Sequence, residues 1–594
     1  MSKKITDAPK NLKHTSMRLL QLLFQQKSRF GLILISALCY ATLMTIAPLL
    51  LGQGLDNLIT LLQQGGWQPS EFLQVIKWPL LLLGISWLMI SLFSFLQEYT
   101  MASVSETLTL TLRKELTHKF NRLPVRFYDT HQTGDILSRA ILDLDKVSEV
   151  LQVGLMQLIT ATLSILFGLG VMFWLSPLLT VGIIIILLIS AFATHRLAQR
   201  NLVYFSENQT TLGAVGSRAE EFYTAHLLIK SYNQQSAVAS EMHELSEKQF
   251  HAFRKAQFAS YAINPFIRFI NQIGFVVSAV IGGMMVINGQ LSIGLIQAYL
   301  QYTNQVSEPI TQASYIINTL QSALASLERI FEILDYPEEK ETQHPLAVPE
   351  ELSGRIDFED VSFGYSPDKL LMQHVNLQVA PRQTVAIVGP TGAGKTTLIN
   401  LLMRFYPLNG GKIRIDRYDM TDFSATDIRK KFGMVLQDTW LFEGTIAENI
   451  AYGKKDATKE AIIAAAKAAQ CDHFIRTLPK GYETIIGSET ELSQGQQQLL
   501  TIARAILADP AILILDEATS SVDTRTEQMI QTAMDTLTKN RTSFVIAHRL
   551  STIKNADLIL VMEAGQIIEQ GKHEELLAKP SLYAQLYNSQ FARN

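Results

Sequence analysis

From Leu151 to Thr194 the chain runs without a single Asp, Glu, Lys or Arg. No soluble core calls for so long an uncharged run. About 20 apolar residues cross a bilayer as a helix, so this stretch reads as two spans joined at Leu175-Ser-Pro177. Phe269–Ser307 is uncharged throughout and reads as two more, turning near Asn288-Gly289. Phe30–Leu55 and Trp78–Gln97 are uncharged as well. Hydrocarbon offers backbone groups no water to bond, so each span must be helical. The expectation is an α-helical membrane domain of six transmembrane helices.

The chain has 594 residues, too many for one core. Hydrophobic residues make up 47% and charged residues 18%, an average that hides a split. The uncharged runs fill the first part, and the rest has ordinary soluble composition. A net charge of −3 gives no case for nucleic acid. Two distant cysteines, Cys39 and Cys471, argue against a disulfide framework.

Residues 1–29 hold five Lys, two Arg and one Asp, with no small-residue cleavage site after them. Met17–Phe24 reads as an amphipathic helix on the membrane surface. Lys and Arg collect at the N-terminus and in 98–150 and 195–268, which puts those segments and the soluble half in the cytosol. Both basic segments are helical in pattern, so the spans should extend well past the bilayer. Phe127–Arg139 and Glu220–Tyr232 set apolar residues beside charges far from the spans. Each is either a solvated loop or a surface that docks on the soluble half. Glu308 is either a carboxylate on a water-filled path or one already solvated at the end of its span. Arg268 reads as snorkelling to the interface.

Tyr336–Pro349, with three prolines and no hydrophobic period, is a linker. From Ser353 strands and helices alternate, as in an α/β domain. Gly389, Pro390, Thr391, Gly392, Ala393, Gly394, Lys395, Thr396 and Thr397 then form a glycine-rich loop between an apolar strand and a helix. Backbone amides in such a loop close around phosphate oxygens, helped by the helix N-terminus. Lys395 suits the β- and γ-phosphates and the Thr396 hydroxyl suits Mg²⁺.

Further motifs follow in a fixed order. Tyr365, in Val361-Ser-Phe-Gly-Tyr365, lies 24 residues before the loop and offers a ring for adenine. Gln437 ends a strand and can reach Mg²⁺ or water. Ser493, Gly495 and Gln496, in Leu492-Ser-Gln-Gly-Gln496, open a helix and form a second anion site. Asp516 and Glu517 end a buried strand; Asp516 suits the Mg²⁺ shell and Glu517 suits polarising the attacking water. His548 ends another strand. Ligands at successive strand ends are what an open α/β sheet requires.

This constellation resembles the ATP-binding cassette family, and six spans followed by one cassette resembles its exporter half-transporters. The resemblance implies an α/β P-loop cassette over 353–594, a membrane domain over 29–322 with two coupling segments near Gly134 and Ala225, a cytoplasmic segment over 1–28 and a linker over 323–352. It makes Tyr365 the adenine-stacking residue, Gln437 the coupling glutamine, His548 the γ-phosphate switch and Asp523 part of the loop crossing the dimer interface. ATP and Mg²⁺ are implied as ligands, a second half-transporter and the lipid bilayer as partners. The implied activity is export of a hydrophobic small-molecule substrate driven by ATP hydrolysis, of multidrug type. Lipid flippases and peptide exporters carry the same motifs, as would an ATP-gated channel. The family pattern has glycine where this chain has Gln494. Only glycine brings backbone so near a ligand without a side chain in the way. That departure favours a heterodimer over a homodimer.

Glu517→Gln is therefore expected to leave ATP binding nearly intact and to slow turnover at least about 100-fold, since a positioned base contributes 10²–10⁴. Lys395→Ala should weaken binding itself. ATPase assays beside nucleotide titrations separate the two effects.

Overall fold

The computed structural model describes residues 11–65, 69–366, 369–437, 439–487, 491–516, 523–547 and 550–590. They form two compact units. The chain up to Arg122 with His131–Pro337 makes the first, and Leu123–Thr130 with the chain from Glu338 onward makes the second.

The first unit is helical throughout. After α1 (Leu12–Phe24) come α2 (Lys27–Gln64) and α3 (Pro69–Phe120). The short α4 (Val125–Thr130) belongs to the second unit. α5 (Thr133–Ala140) and α6 (Leu142–Glu149) lead through a π-helical turn, Val150–Leu155, into α7 (Met156–Leu175). Ser176 breaks the chain and Pro177 opens α8 (Pro177–Thr224), the junction expected from sequence. Then come α9 (His226–Ser231), α10 (Gln235–Ile287) and α11 (Ile293–Leu334), the last two separated by the turn at Gly289, whose φ is +72°.

α3, α8 and α10 have 52, 48 and 53 residues. At 1.5 Å per residue each exceeds about 70 Å, more than twice the hydrocarbon thickness. Among the described residues five helices are long and apolar enough to cross a membrane: Lys27–Gln64, Gln74–Phe120, Thr133–Leu175, Pro177–Thr224 and Gln235–Ile287. The expectation was six. α11 falls short because Gln297, Gln301, Asn304, Gln305 and Glu308 interrupt its apolar residues. It nevertheless holds the bundle's centre, with Tyr299 and Tyr302 buried in the core. The Tyr302 hydroxyl donates to the Thr45 carbonyl, and the Tyr299 hydroxyl lies 3.2 Å from that of Thr180.

Where α2 meets the start of α11, two glycines let the backbones touch. A Cβ on Gly294 would lie 1.9 Å from the Gly52 carbonyl oxygen. Beside them Asp56 accepts from the Ser292 hydroxyl at 2.5 Å and the Gly294 amide at 2.7 Å. Farther along α11, Arg329 donates two hydrogen bonds to buried Asp143, at 2.8 and 2.5 Å. α1 is tied to the end of α11 by Arg18, 2.7 Å from Asp335 and 3.9 Å above the Phe331 ring.

The second unit carries three sheets. Antiparallel β1 (Ile356–Phe363), β2 (Met372–Val379), β4 (Gly410–Ile415) and β5 (Tyr418–Asp419) order as β2-β1-β4-β5. The six-stranded sheet orders as β12-β11-β3-β10-β9-β6, from β3 (Thr384–Val388), β6 (Phe432–Val435), β9 (Ile512–Asp516), β10 (Thr542–Ile546), β11 (Leu558–Glu563) and β12 (Gln566–Gly571). All its pairs are parallel except β11–β12. Its central strands β3, β9 and β10 are buried along almost their whole length, as in a parallel sheet covered on both faces. A short pair, β7 (Gly444–Thr445) and β8 (Ile485–Ile486), completes the strands. The helices this unit uses below are α12 (Lys395–Leu402), α13 (Ala425–Arg429), α14 (Ile446–Ala451), α15 (Lys459–Ala468), α16 (Asp472–Thr477), α17 (Gln494–Ala508) and α18 (Thr524–Thr538).

The proline-rich linker has no helix or strand, yet it is fastened down. Glu339 pairs with Arg429 on α13, Thr342 donates to the Thr421 and Phe423 carbonyls at 2.9 and 2.8 Å, and the Leu346 amide donates to Asp422 at 2.9 Å.

Gly294→Ala should force the α2–α11 crossing apart at a cost of about 1–3 kcal/mol, the usual range for overpacking. Gly84→Ala, with open space around its Cβ, serves as the control. Thermal unfolding in detergent should show a lower midpoint for the first variant only.

Candidate ATP site

The site grows from the ends of neighbouring strands. β10 lies between β3 and β9, with Ile546 paired to both Ile387 and Asp516. The loop after β3 and the carboxylate ending β9 therefore emerge at the same sheet edge. In the loop, Gly392 and Gly394 have φ of +82° and +98°, conformations an L side chain resists. A Cβ on Gly389 would meet the Met562 carbonyl oxygen at 2.2 Å. Pro390, Thr391, Gly392 and Thr396 are exposed, whereas Ala393 and Thr397 are buried and root the loop.

Lys395 opens α12, and its ammonium donates to the Gly389 and Pro390 carbonyls at 2.8 and 3.0 Å. Burial pushes its pKa below the ordinary lysine value, and the attraction of Asp516 works against that shift. The loop thus presents backbone donors and one cation around a space that glycine leaves open. The residues fit a polyphosphate, and Thr396 with Asp516 supplies oxygen donors of the kind Mg²⁺ takes.

Tyr365 stands beside the loop helix, its hydroxyl 3.1 Å from that of Thr397 and its ring partly exposed. Its edge-on contacts are Phe363 at 5.0 Å and Tyr406 at 5.1 Å. Tyr406, missed in the sequence reading, is the buried hub of this cluster. Its hydroxyl donates to Asp129 on α4, and burial followed by that carboxylate raises its pKa. Phe127 on α4 is buried as well, and Val125 packs against the cassette core. The signal for Tyr406 was an aromatic pair, Phe405-Tyr406, directly after the phosphate-loop helix.

Gln437 is exposed and lies just beyond the end of β6, rather than on the strand itself. Ser493 caps α17. Its hydroxyl accepts from the Gln496 amide at 3.3 Å, while the Gln496 side chain accepts from the Ser493 amide at 3.0 Å. Gly495 is buried and Gln494 is exposed at the first turn. Asp523 caps α18, and hydrogen bonds from Thr526 hold its carboxyl below the usual range. The help this cap gives α18 is present above the ordinary carboxylate pKa and is lost as pH falls through the lowered value. Glu517 and His548 lie outside the described residues.

Residues 30–310 match the family described as ABC transporter transmembrane region, and residues 372–520 the one described as ABC transporter. The fatty acid ABC transporter ATP-binding/permease protein of Mycobacterium bovis is 46% identical over 80% of this chain and 75% of its own length. The ATP-dependent lipid A-core flippase of Vibrio cholerae is 35% identical over 89% of this chain and 91% of its own. The solved structure of a bacterial Atm1-family ABC exporter with ATP bound is 27% identical, covers 95% of this chain and 98% of its own, and superposes with a TM-score of 0.77. The chain belongs to the ABC transporter family. In layout it is an exporter, a multi-pass membrane region fused to a cassette that hydrolyses ATP to drive transport.

Tyr406→Phe keeps the ring packing and removes the bond to Asp129. It should cost the cassette unit about 1 kcal/mol, the typical net contribution of such a bond. Asp129→Asn retains an acceptor and should cost less. Chemical denaturation of both variants, read by intrinsic fluorescence, tests the ordering.

Proposed function

We propose that this chain is half of a dimeric ATP-driven exporter in the plasma membrane, moving hydrophobic or amphipathic compounds. The observation that carries the reading is one chain holding both a long-helix membrane unit and a phosphate-loop cassette, similar over most of its length to transporters of lipid-like molecules. α11 is the sixth span, its Tyr299 and Tyr302 buried in the bundle core. The basic N-terminus and segments 98–150 and 195–268 place the cassette in the cytosol.

Within the site, Lys395 and the loop amides hold the β- and γ-phosphates, Tyr365 stacks on adenine, and Thr396, Gln437 and Asp516 hold Mg²⁺. The bound ion would neutralise charge developing on the phosphates. Glu517 polarises the attacking water and His548 senses the γ-phosphate. Ser493, Gly495 and Gln496 serve the ATP of the opposite chain, and Asp523 flanks that interface. Coupling runs through α4, whose Asp129 and Phe127 already sit with the cassette unit, and through α9. Around α9, Tyr223, Leu227, Leu228 and Tyr232 are exposed, a surface suited to another chain's cassette.

The partner is a different chain. Gln494 occupies the turn where backbone must approach the opposite nucleotide, so the site it serves is the weaker of two. ABC exporters act as dimers, and two unlike sites divide the labour between one that hydrolyses and one that holds ATP. Gln494→Gly should then change maximal hydrolysis by less than about twofold, well under the roughly 1.4 kcal/mol that a tenfold change represents. The chain purified alone should show little ATPase until its partner is added. Brisk hydrolysis by the lone chain, with a strong response to Gln494→Gly, would make it a homodimer and leave the exporter reading in place.

A further inference from the structure

Between α10 and α11 lies a cavity of about 390 Å³ whose lining residues are all polar or charged. Asn264, Arg268 and Asn271 come from α10, and Glu308, Thr311 and Gln312 from α11. Arg268 and Glu308 are both exposed, and neither has an ion-pair or hydrogen-bond partner among the described residues. Asn271 donates to Thr311 at 3.0 Å, which leaves its carbonyl oxygen buried without a partner among those residues.

The cavity's depth follows from the helices. Arg268 lies on the second half of α10, which ends at Ile287, and Glu308 on the first half of α11, which starts at Ile293. At the helical rise of about 1.5 Å per position, Arg268 is about 28 Å and Glu308 about 22 Å from the short connecting turn. The hydrocarbon is about 30 Å thick, so the groove opens at the level of lipid head groups near Asn264 and reaches about halfway in at Asn304. Lipid tails do not solvate a lining made wholly of polar side chains. About a third of a turn round α10 from the groove's side chains, Phe269, Ile273, Val276 and Val280 form an exposed apolar stripe, at helical spacing and rising toward the turn. Polar groove and apolar stripe together have the outline of one amphipath, head at the boundary and tail in the hydrocarbon.

The charges narrow the head group. Guanidinium takes phosphate or carboxylate in a fork of donors, and the flanking amides add more. Glu308 would repel a purely anionic head but offers an acceptor for an ammonium. Resting on the exporter reading above, we propose that this groove binds the zwitterionic head of a membrane-dissolved amphipath, its acid group on Arg268 and its ammonium on Glu308. The cargo is thereby taken from the leaflet rather than from water.

The test uses the assembled transporter in uncharged maltoside micelles and reads stimulation of ATP hydrolysis. Four probes are compared: lysophosphatidylethanolamine, lysophosphatidylglycerol, an alkylammonium of equal chain length, and tail-free glycerophosphoethanolamine. Lysophosphatidylethanolamine should act at the lowest concentration, by at least about fivefold, roughly 1 kcal/mol. Arg268→Gln should raise the half-maximal concentration of the zwitterionic and anionic probes about tenfold and spare the cationic one. Glu308→Gln should do the same to the zwitterionic and cationic probes and spare the anionic one. A folding defect would weaken all probes alike, so the crossed pattern is the decisive result. Equal potency of the tail-free head, a preference for the anionic probe, or variants without charge selectivity would each overturn the proposal. If the same preparation in vesicles exports a dye while none of the probes acts, the head-group site falls and the exporter reading stands. If ATP hydrolysis moves neither dye nor lysolipid, both fall.

Discussion

A backbone amide or carbonyl left bare in hydrocarbon costs several kcal/mol, and that penalty shapes the whole first unit. It forces the chain into long helices, and interior prolines such as Pro48, Pro265 and Pro309 are tolerated where neighbouring groups satisfy the carbonyls they free. It also removes the usual drive for helices to associate, since lipid is as apolar as leucine. Close contact then depends on small residues and on polar groups with partners. The Gly52–Gly294 crossing supplies the first, and Asp56 and Tyr302 supply the second.

In the second unit the governing constraint is the reverse. Here the backbone must be laid open to a ligand, and glycines at positive φ keep the amides of one loop available. The parallel sheet makes this local irregularity tolerable. β3, β9 and β10 are almost wholly buried, so the loop leaving β3 is rooted in the packed centre of this unit. Ala393 and Thr397, buried on either side of Lys395, fix the backbone from which its ammonium extends.

Much of this was legible in the sequence because it rests on periods and short spacings. The junction at Ser176, the turn at Gly289 and the strand before Gly389 all lie where uncharged runs and glycines put them. Gln437 was expected on the strand and lies just past it, since a strand's last hydrogen bond leaves no mark in composition. α11 was counted as an ordinary span, although its polar residues make it unlike the others by composition. For Tyr406 the pattern offered only the Phe405-Tyr406 aromatic pair, not what its hydroxyl bonds to. Its importance comes from Asp129, 277 residues earlier, and a single long-range hydrogen bond has no period. The linker looked loose because its composition is loose, whereas Glu339, Thr342 and Leu346 are each held by residues far along the chain.

The placement of Leu123–Thr130 with the cassette unit bears on how such chains evolve. A boundary drawn near Pro337 would seem to allow one membrane half to be joined to another's cassette by a single recombination. A short segment from the far side of that boundary folds into the cassette's own body, with Leu123 and Phe127 buried and Asp129 bonded to Tyr406. A transplanted cassette would arrive with a cleft shaped for a different peptide. A change at Asp129 or Tyr406 therefore reaches two stretches of chain at once, one from each side of the linker.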